Sequence, residues 1–192
     1  MNVLGISGSP RKGGNTEIAI NLALDEIAKE GIATELIPLA GKRIEPCTAC
    51  MACKGKVQCT IEDDFAPLFE KILEADGLIV GSPVYFGSAT PQMMALLDRT
   101  GYISRNNGGL LKYKVGGPIA VARRAGQNFT YAQLGLFFGL NEMILVGSTY
   151  WNIGFGRAPG EIREDAEAVE TMQNFGKNVA WLLKKIGGGC GG

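Results

Sequence analysis

The sequence predicts a doubly wound α/β fold, with a five-stranded parallel sheet covered by helices on both faces. Three observations predict it. Short apolar runs alternate with amphipathic stretches of helical length along the whole chain, the pattern that parallel strands and their crossover helices impose. No internal repeat or interdomain linker interrupts that alternation. The length, 192 residues, suits one ordinary domain with a core large enough to need no disulfide or structural metal.

The elements follow in order. Val3 to Ser7 is a short buried strand, followed by a Gly/Ser/Pro/Lys loop. Thr16 to Glu30 reads as a helix, with Asn15 or Thr16 as its cap and Gly31 as its end. Thr34 to Leu39 is the second strand, and a polar cysteine-bearing loop leaves it. Asp64 to Ala75 is a helix that places Phe65, Leu68, Phe69 and Ile72 on one face. Gly77 to Gly81 is a third, strongly apolar strand. Thr90-Pro91 opens the next helix as N-cap and first residue, with Met94, Leu96 and Leu97 on its apolar side. Val115 to Ala122 is the fourth strand, Thr130 to Leu140 an apolar helix, Met143 to Gly147 the fifth strand, and Ala166 to Ile186 a closing helix. The short first strand and the strand count favour the flavodoxin-like order 2-1-3-4-5 over the six-stranded dinucleotide fold. Residues 1–186 form one domain in this reading, with the cysteine loop at 47–59; residues 187–192, five of them glycine, form a flexible tail.

Composition excludes several kinds of chemistry. The chain has no histidine, which removes Ser-His-Asp triads, Cys-His proteases and His-ligated zinc enzymes. Lys plus Arg and Asp plus Glu are each 19, a balance that argues against a nucleic-acid partner. No signal peptide opens the chain, and no apolar run reaches the length of a bilayer span. The expectation is a soluble cytoplasmic protein with reduced thiols. Any chemistry then rests on thiolates, backbone amides, Arg, Tyr or a cofactor.

In such a sheet, ligands bind beyond the carboxyl ends of the strands, so four loops matter. The first runs from Ser7 through Pro10 and Gly13 to Thr16 and leads directly into a helix. A helix N-terminus offers unpaired N–H groups and a positive dipole end. Ser7, Ser9, Arg11, Gly14, Asn15 and Thr16 are the candidate phosphate-binding residues. The loop matches neither the Walker pattern nor Gly-x-Gly-x-x-Gly, which favours a monophosphate such as that of FMN; the bland alternative is a Gly-rich turn before a capped helix. After the third strand come Pro83, Val84, Tyr85, Phe86 and Gly87, a candidate platform for an isoalloxazine ring or simply core aromatics. After the fourth come Ala122, Arg123, Arg124 and Gly126. This turn is either positive charge near a flavin's pyrimidine end, which favours the anionic reduced form, or a solvated basic turn.

The loop after the second strand carries the most specific signal. Cys47, Cys50, Cys53 and Cys59 are spaced C-x2-C-x2-C-x5-C, and C-x2-C-x2-C is a cluster-binding run. Ala49, Ala52 and Gly55 leave room for the backbone to wrap closely. Zinc, which prefers two C-x2-C pairs across a longer spacer, and unligated thiols are the alternatives. Cys190, in the glycine tail, stands apart from the set.

The first loop, the cysteine run, Asp63-Asp64 and Gly81-Ser-Pro-Val-Tyr85 with Asp98-Arg99 together resemble the iron-sulfur flavoproteins. These are a branch of the flavodoxin-like, NADPH-dependent FMN reductases, and the resemblance runs from about Met1 to Ile186. It implies bound FMN, one [4Fe-4S] cluster per subunit on the four cysteines, and a homodimer or homotetramer. It also implies electrons from a ferredoxin-like donor or NAD(P)H, passed to an acceptor such as oxygen, peroxide or a quinone. The Arg123-Arg124 turn with Gln127 departs from the family's glycine-richer pattern. The expected mechanism needs no side-chain acid or base: the cluster takes single electrons and FMN joins one-electron to two-electron chemistry. Three other readings stand beside it. They are a cluster-free NAD(P)H-dependent FMN or quinone reductase, a flavin dehydrogenase of a small metabolite, and a non-enzymatic electron carrier or zinc-stabilised FMN-binding module.

Overall fold

The chain begins with β1 (Asn2–Ser7), whose apolar residues are buried on both faces, as a central parallel strand requires. The computed structural model describes residues 1–187. In order there follow α1 (Asn15–Lys29), β2 (Ala33–Pro38), α2 (Phe65–Glu74), β3 (Gly77–Pro83), α3 (Pro91–Asn106), β4 (Val115–Ala122), α4 (Gln127–Leu140), β5 (Ile144–Leu145), β6 (Ile153–Phe155), a short 3-10 turn at Glu161–Glu164, and α5 (Ala166–Gly187). The sheet is parallel, in the order β2-β1-β3-β4-β5, with β6 also on β4. The predicted architecture and strand order are those observed.

Strand alternation divides the core into two layers. Leu4, Ile6, Leu78 and Val80 pack on the side of α2, α3 and α4. Val3, Ile79, Ile119 and Val121 pack on the side of α1 and α5. There α1 and α5 touch backbone to backbone: a Cβ on Gly176 would stand 2.2 Å from the Ala23 carbonyl oxygen.

The fifth strand position departs from expectation. The strand predicted at Met143 to Gly147 is only the short β5, against Val115 and Gly116, and a further strand not predicted from sequence, β6, lies against Ala120 to Ala122. The cause is on β4. Gly116 and Ala122 present carbonyls to this edge, accepting N–H from Val146 and Gly156, and Ala120 donates to the Asn152 carbonyl. Pro118 lies between them on the same edge and has no N–H to give. The chain leaves the sheet there, and the Ser148 hydroxyl donates to the Thr171 carbonyl of α5 at 2.6 Å. It returns where Asn152 Nδ2 donates to the Pro118 carbonyl at 3.2 Å.

Helix ends differ by a few residues. Gly14, not Asn15 or Thr16, is the cap residue of α1, and no side chain caps it. Asn15 is inside the helix with its amide turned elsewhere. On α3, Thr90 accepts the Met93 N–H and Pro91 is the first residue, as expected. α4 starts three residues before Thr130, at Gln127, because Gly126 caps it in a left-handed conformation. Gly187, assigned by sequence to the tail, ends α5; the rest of that segment, 188–192, including Cys190, lies outside the described residues. No helix among the described residues is long and apolar enough to cross a membrane.

Candidate functional site

The loops at the carboxyl ends of β1, β3, β4 and β6 meet around a pocket of about 290 Å³. Its floor is the loop entering α1, where Ser9, Arg11, Gly14, Asn15 and Thr16 all line it. The first-turn N–H groups of α1 have no preceding helical carbonyl to bind, which leaves them free for an anion. The loop is self-braced: Ser9 Oγ accepts the Arg11 N–H at 3.1 Å, and Glu17 Oε2 accepts the Gly13 N–H at 2.9 Å. Pro83, Val84 and Tyr85 after β3 form an apolar wall. Arg123 after β4 lines the pocket too, so it carries three arginines with Arg11 and Arg157, and no acidic residue among the described residues. A dianionic phosphate beside a flat apolar ring matches this combination of donors, charge and wall.

Six residues singled out by sequence lie outside the lining, for physical reasons. Ser7 is fully buried at the end of β1, where its Oγ accepts the Ser9 N–H at 3.3 Å. Ala122 is buried in β4. Phe86 and Gly87 are the two left-handed residues of a tight turn, φ 54° and 78°, closed by reciprocal Tyr85 and Ser88 backbone hydrogen bonds. That turn points Phe86 wholly into solvent. Arg124 is an exposed turn residue. Gly126 works behind the wall: with φ at 86°, a Cβ there would come 3.0 Å from Val84 Cγ1 and 3.2 Å from Gly87 Cα.

Sequence reasoning missed Val121, Gly156, Arg157 and Pro159, which complete the lining. The last three follow β6, the strand it also missed. Their signal was the Gly156-Arg-Ala-Pro-Gly160 run after the apolar residues Ile153 to Phe155. Asn15 fastens this segment over the first loop: Nδ2 donates to the Ala158 carbonyl at 2.8 Å and Oδ1 accepts the Gly160 N–H at 2.8 Å. Arg11 Nη1 adds a bond to the Arg157 carbonyl at 3.3 Å.

The second centre is the loop between β2 and α2. So long a stretch without strand or helix is unusual in a compact domain and marks function. Its two ends are clipped together. Glu45 N–H donates to Asp63 Oδ2 at 2.8 Å, Arg43 N–H to Asp64 Oδ2 at 2.7 Å, and Asp64 N–H back to the Arg43 carbonyl at 3.0 Å. Asp63 is paired in turn with Arg99 of α3, Nη1 to Oδ2 at 2.5 Å and Nη2 to Oδ1 at 3.1 Å, both side chains buried. Burial alone would raise the Asp63 carboxyl; the guanidinium and the N–H groups of Glu45 and Phe65 outweigh it and hold it below the usual range. The Phe65 ring covers Arg99, 4.0 Å from the guanidinium carbon.

Held this way, Cys47, Cys50, Cys53 and Cys59 line one cavity together with Arg99 and Tyr102. Ala49 and Met51 take left-handed conformations, φ 53° and 60°, as the backbone wraps it. The Cys50 thiol is pulled below its ordinary value chiefly by the Ala52 N–H, with help from Thr60 and Thr48. Burial pushes the Cys53 thiol up. Asn107 Nδ2 binds the Cys53 carbonyl at 2.9 Å, and Tyr102 hydroxyl reaches Met51 Sδ at 3.0 Å, so α3 supports the loop along its length. Among the described residues, no group of three or more Cys, Asp and Glu side chains is placed to hold a single metal ion. Four cysteines lining one cavity are the donor set that an iron–sulfur cluster takes.

Comparison with known proteins gives the family. Residues 1–158 match the family described as NADPH-dependent FMN reductase. An iron-sulfur flavoprotein of Methanocaldococcus jannaschii is 45% identical over 97% of this chain and 99% of its own length. Another, of Methanosarcina thermophila, is 36% identical over 97% of both chains. Among solved structures, a flavone reductase superposes with a TM-score of 0.74 at 25% identity, over 97% of this chain and 64% of that longer one. A flavodoxin, WrbA-like protein from Agrobacterium tumefaciens superposes at 0.66 with 16% identity, over 96% and 97% of the two chains; these likenesses show the fold. The chain belongs to the iron-sulfur flavoproteins of the NADPH-dependent FMN reductase family and is an FMN-dependent oxidoreductase.

Proposed function

We propose that this protein relays electrons from a one-electron, ferredoxin-like donor through a [4Fe-4S] cluster and FMN to an acceptor such as oxygen, peroxide or a quinone. One observation supports it above the rest: four thiols surround a single cavity, fixed by protein contacts, on the same chain as a cationic pocket with an apolar wall. When bound, the cluster supplies one-electron transfer, and FMN supplies two-electron storage that also passes through single-electron steps.

The chain's own residues divide the remaining work. Ser9, Thr16 and the first-turn N–H groups of α1 bind the FMN phosphate, with Arg11 and Arg157 neutralising it. Pro83, Val84 and Tyr85 orient the ring, and Arg123 places positive charge near it. Gly126, Gly87 and Asn15 hold these walls in position. Cys47, Cys50, Cys53 and Cys59 ligate the cluster. No side chain is required to move a proton. The cytoplasm suits this reading, because its reducing conditions keep the four thiols available.

The family's description favours NADPH as a second reading of the donor. A homo-oligomer also fits. Leu136 and Leu140 of α4 are exposed beside Tyr102 of α3, around a groove of about 710 Å³ that reaches Cys47. A second copy of the chain is the occupant this reading gives that groove.

Anaerobic purification followed by iron, sulfide and flavin analysis tests the proposal. About four irons, four sulfides and one FMN per chain are expected. A pure flavin spectrum without iron would sink the cluster. Bleaching by reduced ferredoxin but not by NADPH supports the relay; rapid bleaching by NADPH replaces it with a reductase.

A further inference from the structure

The cysteine cavity holds one polar group that the clip around Asp63 does not use. Arg99 is 1% exposed and lies in the cavity wall with all four thiols. A guanidinium carries five N–H donors in a rigid fork. Four are taken: Nη1 binds Asp63 Oδ2 and the Glu45 carbonyl, and Nη2 binds Asp63 Oδ1 and the Ile61 carbonyl. The fifth, on Nε, is buried and has no hydrogen-bond acceptor. With the fork pinned on Asp63 and the ring of Phe65 over its face, the guanidinium cannot turn to find one elsewhere.

Cys59 and the other three cysteines share the cavity wall with this spare donor. Burial works against the Arg99 charge, and the Asp63 carboxylate and the Cys59 sulfur act to hold it. Leaving a donor of a charged group unpaired in the interior is costly. A thiolate that ligates a metal is a good acceptor for it.

Resting on the cluster assignment above, we infer that Arg99 is a positioning and tuning residue of that centre, its Nε–H donating to the Cys59 sulfur. Reduction adds one electron and one negative charge at the cysteine cavity. A fixed cation with a hydrogen bond to a ligand sulfur stabilises the reduced form over the oxidised one, so it raises the cluster's potential. A purely structural Arg99, joining the loop ends, needs only its Nη atoms. The two roles therefore separate at Nε.

Arg99→Lys keeps a cation for Asp63 and removes Nε together with the bidentate Nη fork, so Nε-labelled wild-type protein is what separates the two roles. Anaerobic holoprotein, wild type and variant, is assayed for iron, sulfide and FMN, and the cluster midpoint is followed by EPR in a redox titration. The expected result is unchanged FMN and iron with a reduction equilibrium about tenfold less favourable, or about 59 mV lower for a one-electron couple. An unmoved midpoint in a variant with full iron overturns the inference and leaves the cluster standing. Wild-type protein without iron overturns the cluster assignment and the inference with it.

Wild-type protein decides the matter, even should the variant fail to fold. Growth on arginine labelled with ¹⁵N at Nε is expected to alter the nitrogen modulation in pulsed EPR of the reduced cluster. Arg99 is the arginine that lines this cavity among the described residues. Unaltered modulation overturns the inference.

Discussion

Asn15 holds Gly160 across the mouth of the cationic pocket, its Oδ1 accepting the Gly160 N–H at 2.8 Å while its Nδ2 donates to the Ala158 carbonyl. The loop entering α1 and the loop leaving β6 are thus one structure, although they lie at opposite ends of the chain. Two hydrogen bonds of about 1 kcal/mol each keep Arg157 and Pro159 over the loop entering α1.

Asn15→Ala is expected to weaken FMN binding about tenfold or more, from the loss of roughly 2 kcal/mol. Flavin fluorescence titration of the apoprotein measures this. Unchanged FMN affinity would mean that the loop after β6 contributes nothing to the site.

Asp63→Asn tests the clip. Removing one partner of a buried ion pair costs about 3–5 kcal/mol, and the variant should lose that much in urea unfolding at neutral pH. The native carboxyl is held below its ordinary value of 3.8. Its contribution is therefore complete above that value and is lost as pH falls through the lower native one. The gap between wild type and variant should stay level down to about pH 4 and then narrow. A gap that widened in acid would contradict the assignment.

Cys50→Ala is expected to abolish iron and sulfide and to leave FMN bound, because Cys50 lies in the cysteine cavity and not in the cationic pocket. Parallel metal and flavin analysis checks both halves. Loss of FMN as well would make the cysteine loop a support of the flavin site.

Gly126→Ala puts a methyl against Val84 and Gly87 and forces alanine into a left-handed conformation, a strain of about 1–2 kcal/mol. FMN affinity should fall severalfold, by more than thermal stability does, since the displaced atoms carry the apolar wall. Equal loss of both would show Gly126 to be a folding residue only.

What was legible in the sequence was local. The strand–helix alternation, the loop entering α1 and the cysteine spacing each lie within a short window, and the alternation gives the observed strand order. Pairings across long separations were not legible: Arg11 with Arg157, or Asp63 with Arg99, whose two motifs stand out in the sequence without showing that they meet. Tyr85 and Phe86 look equivalent as residues, and only the left-handed turn sends one to the wall and the other to solvent. Pro118 was a visible warning that the edge of β4 could not be paired continuously, and the break between β5 and β6 follows from it.

The clip around the cysteine loop also bears on the order in which the holoprotein matures. Small zinc domains fold only as metal arrives, because metal is what joins their chain ends. Here the joining is done by Asp63, Asp64, Arg99 and Asn107 through carboxylate, guanidinium and amide contacts. The ends of the cysteine loop are therefore joined by the polypeptide's own contacts, not by metal alone. Iron-free protein is accordingly expected to keep its fold and its flavin, which circular dichroism and flavin analysis of chelator-treated protein would check; unfolding on iron removal would contradict it.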